Sequence, residues 1–273
     1  MPELPEVETT RRGIAPHIQS QKIIAVTVRN NKLRWPIPKD LADTLQNQSI
    51  HNVSRRAKYL LLKCDSGTLI IHLGMSGHLQ IIEDASLVGK HDHVDILFDN
   101  GLTLRYTDPR RFGAMLWSDK TDINSHPLLN KLGPEPLSDD FSLDYLLRVA
   151  AGRRVPIKTF IMNGNYVVGA GNIYANESLF LAGVHPKTPA GDLSKQQYEK
   201  LLAAIKKVLE KAITAGGTTL KDFKKSDGKP GYFAQQLNVY GREHEACPLC
   251  GSEIIQYKEA QRATYYCPLC QTL

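Results

Sequence analysis

The sequence predicts an α+β protein in which a short helix opens an antiparallel β half, a helical half follows, and a metal-bound hairpin ends the chain. Three observations carry this prediction. Short β-branched and aliphatic runs fill the stretch from Lys22 to about Trp117 and are punctuated by Asp/Asn-Gly turns. After Gly133-Pro134-Glu135-Pro136 the apolar residues take up helical spacing instead. Four of the five cysteines crowd into the last 27 residues.

Residues 1 to about 16 read as a helix, because Pro5 suits a first helical position, Glu6 and Glu8 complement the positive helix end, and Arg11 and Arg12 suit the later turn. Gly13 and Pro16 are expected to close it. The runs KIIAVTV, KYLLLKC, TLIIHL, HVDILF and LTLRYT then predict strands of a sandwich or barrel, with turns at Asp65-Ser66-Gly67 and Asp99-Asn100-Gly101. Cys64, inside YLLLKC, reads as a small buried hydrophobe. The stretch from 125 to 137 is the expected linker. From Ser194 to Ala215, Tyr198, Leu201, Leu202, Ile205, Val208, Leu209 and Ala212 fall on one helical face, Ser194 with Gln197 makes a capping box, and Gly216-Gly217 ends the helix. The resulting division is 1–130, 137–240 and 241–273.

With 273 residues and 42% hydrophobic content, the chain is no disordered or fibrous protein. Thirty-four Lys and Arg against 28 Asp and Glu leave +6, a mild lean towards a polyanionic partner. No window is apolar enough for a membrane span, and carboxylates stand where a signal peptide would be cationic and then apolar, so a cytoplasmic protein is expected. The cysteines do not resemble a disulfide scaffold. Cys247-x-x-Cys250 and Cys267-x-x-Cys270, separated by 16 residues, have zinc-ribbon spacing. An iron site of the same geometry or two chance dithiols would share it. A closed four-thiolate site leaves no position for substrate, so such a zinc is structural; the intervening IIQYKEAQRATYY should form a hairpin exposing Gln261, Arg262 and Thr264.

Between Asp144 and Glu177 there is no carboxylate, while Arg148, Arg153, Arg154 and Lys158 make a local positive field suited to a phosphate backbone. Within it, GAGNIYA places Gly169 and Gly171 before a helix, either as a phosphate-binding helix N-terminus or as a tight turn. Lys221 to Lys229 reads as an irregular basic loop. Arg110, Arg111 and Phe112 in DPRRFG could enter a duplex or be ordinary strand residues.

The opening MPELPEVET, with AKYL at 57–60, HLGMSG at 72–77, KHDHVD at 90–95, TDPRRFG at 107–113, GNIYANE at 171–177, GGTTLKDF at 216–223 and the cysteine hairpin, closely resembles bacterial formamidopyrimidine-DNA glycosylases from end to end. The resemblance implies a β-sandwich, a helix-two-turns-helix element and a zinc-finger hairpin. It also implies an enzyme, monomeric and free of organic cofactors, that removes oxidised purines from double-stranded DNA and cuts abasic sites. Pro2, exposed by removal of Met1, would attack the sugar C1′. A terminal amine titrates near ~8 and so is usable at neutral pH. Glu3 would protonate the ring oxygen, Glu6 would organise the N-terminus, Lys58 would assist elimination, and Arg262 would clamp phosphates and serve δ-elimination. His91, Arg110, Arg153, Asn172 and Lys221 take DNA-contacting or lesion-loop positions, and Met75, Arg110 and Phe112 would fill the hole left by the extruded nucleotide. Asn163 stands where the family commonly has an aspartate, which puts local turn stability or DNA affinity in doubt. Two other readings share parts of this pattern: an endonuclease VIII-type enzyme for oxidised pyrimidines, and a non-catalytic zinc-ribbon DNA-binding module.

Overall fold

The structure, a computed structural model, describes residues 2–85, 87–217 and 237–273. The chain forms two compact units, one of residues Met1–Asn130 with Ala215–Ala234 and the other of Lys131–Thr214 with Gln235–Leu273.

The first unit runs α1 (Leu4–Ile18), β1 (Ile23–Val28), α2 (Leu41–Leu45), β2 (Ile50–Arg56), β3 (Tyr59–Cys64), β4 (Thr68–His72), β5 (His78–Ile82), β6 (Asp92–Phe98), β7 (Thr103–Thr107) and β8 (Ala114–Ser118). Its strands form two four-stranded sheets, β1-β6-β7-β5 and β2-β3-β4-β8, with every pair antiparallel. Apolar side chains of both sheets share one core with Ile14 and Ile18 of α1, so the predicted sandwich is present. The Asn100-Gly101 turn forms as read, with Gly101 left-handed and its N–H donating to the Phe98 carbonyl at 3.0 Å. Cys64 is buried, and that burial, with Asp65 adding to it, pushes its thiol up to about 11.

Two readings of this half need correction. Gly13 and Pro16 do not end α1, which continues to Ile18 with Pro16 inside it. Proline in the last turn forfeits one backbone bond, whereas Ile14 and Ile18, one turn apart and both fully buried, hold that turn on the core. The structure adds β2, β5 and β8 to the five runs that read as strands. The sequence of β2, IHNVSRR, has no apolar run because β2 is a sheet edge, where polar side chains are the rule.

The second unit contains α3 (Leu143–Ala150), α4 (Ile157–Ile161), α5 (Asn172–Ala182), α6 (Lys195–Thr214) and the antiparallel pair β9 (Ile255–Glu259) and β10 (Arg262–Tyr266). Ser194 and Gln197 cap α6 reciprocally, and Gly216 and Gly217 are left-handed beyond its end, as the sequence predicts. Helix α5 is buried on nearly all sides and packs against α6 and β10. Gly133 donates to the Gly164 carbonyl at 2.9 Å, so the proline-rich stretch is docked at its start. No helix among the described residues is long and apolar enough to cross a membrane.

Candidate active site and nucleic-acid interface

Burial at the head of α1 is unusual for its chemistry. Pro2, Glu3, Glu6 and Glu8 are all buried, and Glu6 Oε2 accepts the Glu3 backbone N–H at 2.8 Å, which fixes the first turn. Gly217 closes over the same place: a Cβ there would lie 3.1 Å from Glu6 Oε1, so only glycine's small bulk and left-handed φ suit it. Burial would raise the Glu8 carboxyl, but hydrogen bonds from Arg11 and Arg12 and the charges of Arg11 and Arg55 outweigh it and bring it down to about 2. Arg55 also donates to the Ala57 carbonyl at 2.8 Å, so Glu8 and Arg55 tie α1 to the two-residue turn that carries Lys58. The His72 ring lies tilted against Tyr59, centroids 5.0 Å apart, and burial together with the positive charges of Lys58 and Arg34 pushes its imidazole down to about 4. Glu8, Arg55 and His72 were not singled out from sequence as site residues.

Two turns of the same unit present the expected hole-filling trio. Met75 sits half-buried in the turn between β4 and β5, and Arg110, Arg111 and Phe112 are exposed in the turn between β7 and β8 rather than in strands. The Arg110 guanidinium lies 5.2 Å from the Phe112 ring centroid. Fully buried Asp108 begins that turn, and its N–H donates to the carbonyl of half-buried His91 at 3.1 Å.

In the second unit, Arg262 is exposed directly after Ala260 and Gln261, which both take left-handed backbone at the tip of the β9–β10 hairpin. Gln261 is exposed too, but Thr264 is not, a correction to the sequence reading: strand alternation turns it inward, where its Oγ1 meets Lys158 Nζ at 2.6 Å. Lys158 is therefore no part of an open positive field. It is 2% exposed and also donates to the Ala263 carbonyl at 3.0 Å. Asn172, the first residue of α5, donates from Nδ2 to that same carbonyl at 2.9 Å, while its Oδ1 is buried without a hydrogen-bond partner among the described residues. Thr159 adds a bond to Glu259 at 2.8 Å, and a cavity of about 240 Å³ lies among Lys158, Thr159, Met162, Asn163, Glu259 and Arg262. Arg153 is exposed, lying over the Tyr166 ring and donating to the Val149 carbonyl near the end of α3. Lys221 lies outside the described residues.

The four cysteine sulfurs at 247, 250, 267 and 270 lie within 4.8 Å of one another, which fits a single tetrahedral zinc. Ser252, not anticipated from sequence, places its hydroxyl 3.0 Å from Cys250 Sγ and 3.1 Å from Cys267 Sγ, an outer partner for thiolates.

Residues 1–115 match the formamidopyrimidine-DNA glycosylase N-terminal domain, 132–224 its H2TH domain, and 245–273 the zinc finger found in FPG and IleRS. The formamidopyrimidine-DNA glycosylase of Stutzerimonas stutzeri (strain A1501) is 57% identical over 271 residues, covering 99% of this chain and 100% of that protein. The chain belongs to the formamidopyrimidine-DNA glycosylase family. The member from Hydrogenovibrio crunogenus is 56% identical over 99% of the chain and 96% of that protein. Among solved structures, the MutM (FPG) protein of Thermus thermophilus superposes with a TM-score of 0.88 at 36% identity, covering 99% of this chain and 98% of that one. A Lactococcus lactis Fpg in complex with DNA containing an abasic site gives 0.91 at 33% identity, over 99% and 100% of the two chains.

Asn163, where many formamidopyrimidine-DNA glycosylases are expected to carry an aspartate, closes a turn here: its Oδ1 accepts the Asn165 N–H at 3.0 Å and its carbonyl accepts from Tyr166 and Val167. An amide oxygen accepts this bond as a carboxylate oxygen does.

Proposed function

We propose that the protein is a bifunctional DNA glycosylase and abasic-site lyase of base excision repair, acting in the cytoplasm on duplex DNA that contains oxidised purines or abasic sites. The observation that carries this reading is membership of the family over the whole chain, at 57% identity to a formamidopyrimidine-DNA glycosylase. Its working parts divide as 1–130, 137–240 and 241–273, the last held by zinc, which supplies no step of the reaction.

With Met1 removed, the Pro2 nitrogen attacks C1′ of an everted nucleotide while Glu3 delivers a proton to the opening sugar ring oxygen, and the base leaves with the electrons of the glycosidic bond. A secondary amine leaves a cationic iminium, which acidifies C2′–H. Loss of that proton expels the 3′ phosphate, and a second elimination expels the 5′ phosphate, so both DNA ends keep phosphates. The buried carboxylates around Pro2 support this reading, since a dry site strengthens charge interactions with the forming cation. Lys58 and Arg262 hold phosphates and assist the eliminations; His91, Arg153 and Asn172 hold the backbone. Met75, Arg110 and Phe112 replace the everted nucleotide, and residues 218–233, including Lys221, read the base.

Borohydride reduction in the presence of 8-oxoguanine DNA tests the chemistry, because it traps only an iminium. The adduct is expected on the N-terminal peptide and to be mostly lost in Pro2→Gly or behind an uncleaved N-terminal tag. An adduct on Lys58 instead would overturn the assignment.

A further inference from the structure

We infer that Asp108 is a positioning residue that locks the turn carrying Met75 and the turn carrying Arg110 and Phe112 into one rigid probe, so that the three side chains enter the duplex as a unit. This rests on the hole-filling role given to the trio above. The bonds beneath the tips carry it.

Asp108 is fully buried, and both its carboxylate oxygens are engaged. Oδ1 accepts the Ser76 hydroxyl at 2.7 Å, and Oδ2 accepts the Gly113 N–H at 2.8 Å and the Tyr106 hydroxyl at 3.1 Å. One oxygen thus holds the Met75 turn and the other holds the far end of the Phe112 turn. Ser76 completes the bridge, because its oxygen accepts the Arg110 N–H at 3.0 Å. The Asp108 backbone is fixed as well, with its carbonyl 2.8 Å from His93 Nε2.

The backbones approach each other as closely as the bonds require. A Cβ on Gly74 would lie 2.4 Å from the Phe112 carbonyl carbon, and one on Gly113 would lie 1.8 Å from the Tyr106 hydroxyl. Gly74 is therefore demanded by contact between the turns, and Gly113 by the Tyr106 hydroxyl and the His72 carbonyl of the strands beneath them. Three donors converge on Asp108, and only an acceptor-only carboxylate satisfies them all; an amide would turn its own N–H towards one of them. Above this base the Phe112 ring is 40% exposed. A side chain that must displace a stacked nucleotide gains from having its orientation settled at folding rather than at binding.

The test uses the full zinc-loaded protein and a duplex with 8-oxoguanine opposite cytosine and 2-aminopurine beside the lesion. Ser76→Ala and Asp108→Asn should slow both the fluorescence rise and single-turnover base excision about tenfold, the effect of losing one buried charge-assisted bond, and Gly74→Ala, which pushes the two turns apart, should slow both as well. Cleavage of a preformed abasic site in single-stranded DNA by Ser76→Ala and Gly74→Ala should stay near wild type, because no stack has to be opened. Equal losses on both substrates, or an unchanged fluorescence rate, would overturn the inference, and Ser76→Ala decides it if the other two variants do not fold. Phe112→Ala separates the two levels. If it leaves the fluorescence rise intact, the hole-filling reading fails; if it removes the rise while Ser76→Ala does not, the inference fails alone.

Discussion

Glu8 gathers three arginines, Arg11, Arg12 and Arg55, around one carboxylate at 2.7 to 3.2 Å. With a folded value of about 2 against an ordinary 4.5, its stabilisation is fully present above pH 4.5 and disappears as pH falls towards 2. Arg12 faces solvent and the cluster is screened on that side, so the contribution is roughly 1 to 2 kcal/mol rather than the full linkage value. Glu8→Gln should therefore be less stable than wild type by that amount in urea melts at pH 7, and the gap should close between pH 4.5 and 2. A gap that persists at pH 2 would show that packing, not charge, is what the variant loses. Residues of this kind are hard to read from sequence. Glu8, Ser76 and Asp108 stand inside quotable motifs, but their importance comes from burial against partners as distant as Arg55 or as near as Tyr106, and no spacing rule encodes that. The zinc ligands were legible because two short knuckles carry their own geometry, whereas Pro2 and Glu3 were legible only through the family resemblance.

Among the elements, those with a self-contained signal came through best. Helix α6 has a cap, an apolar face and a glycine stop, and β6 and β7 have a turn that works only as a hairpin. Sequence alone ends α1 near Pro16, two residues early, because the local cost of Pro16 is visible in sequence and the burial of Ile18 is not. The β9–β10 hairpin was foreseen, but not what grips it: Lys158 and Asn172 both donate to the Ala263 carbonyl, next to Arg262. Lys158→Met should leave the Thr264 hydroxyl short of a partner and cost about 1 to 3 kcal/mol in thermal or urea unfolding. It should also weaken DNA binding with zinc content unchanged, by misplacing Arg262. Arg262→Ala should weaken binding without the loss of stability. If Lys158→Met bound DNA normally despite its lower melting point, the grip would not be what places Arg262.

For the whole molecule, the chain's +6 charge is a weak guide beside where cations stand. Arg110 and Arg153 are exposed, while Lys158 is buried and bonded within its own unit. Substrate choice is expected to depend on residues 218–233. Deleting roughly residues 222–230 should lower 8-oxoguanine excision while sparing cleavage of preformed abasic sites, since only the former requires a base to be read. Equal losses on both substrates would remove the base-reading role from this segment, and faster wild-type turnover on thymine glycol than on 8-oxoguanine would favour an oxidised-pyrimidine enzyme.

The burial of Cys64 reaches into a different domain, that of chemical labelling. Four of the five cysteines are metal ligands, and the fifth is sealed in β3 with its thiol pushed up to about 11. Zinc-loaded protein should thus be nearly silent to thiol reagents at neutral pH without any native cysteine being replaced. A single cysteine engineered onto the surface, at Lys207 of α6 for example, becomes an addressable handle for a dye or spin label. In the same preparation, the number of additional thiols that react reads out the fraction of molecules that have lost their metal.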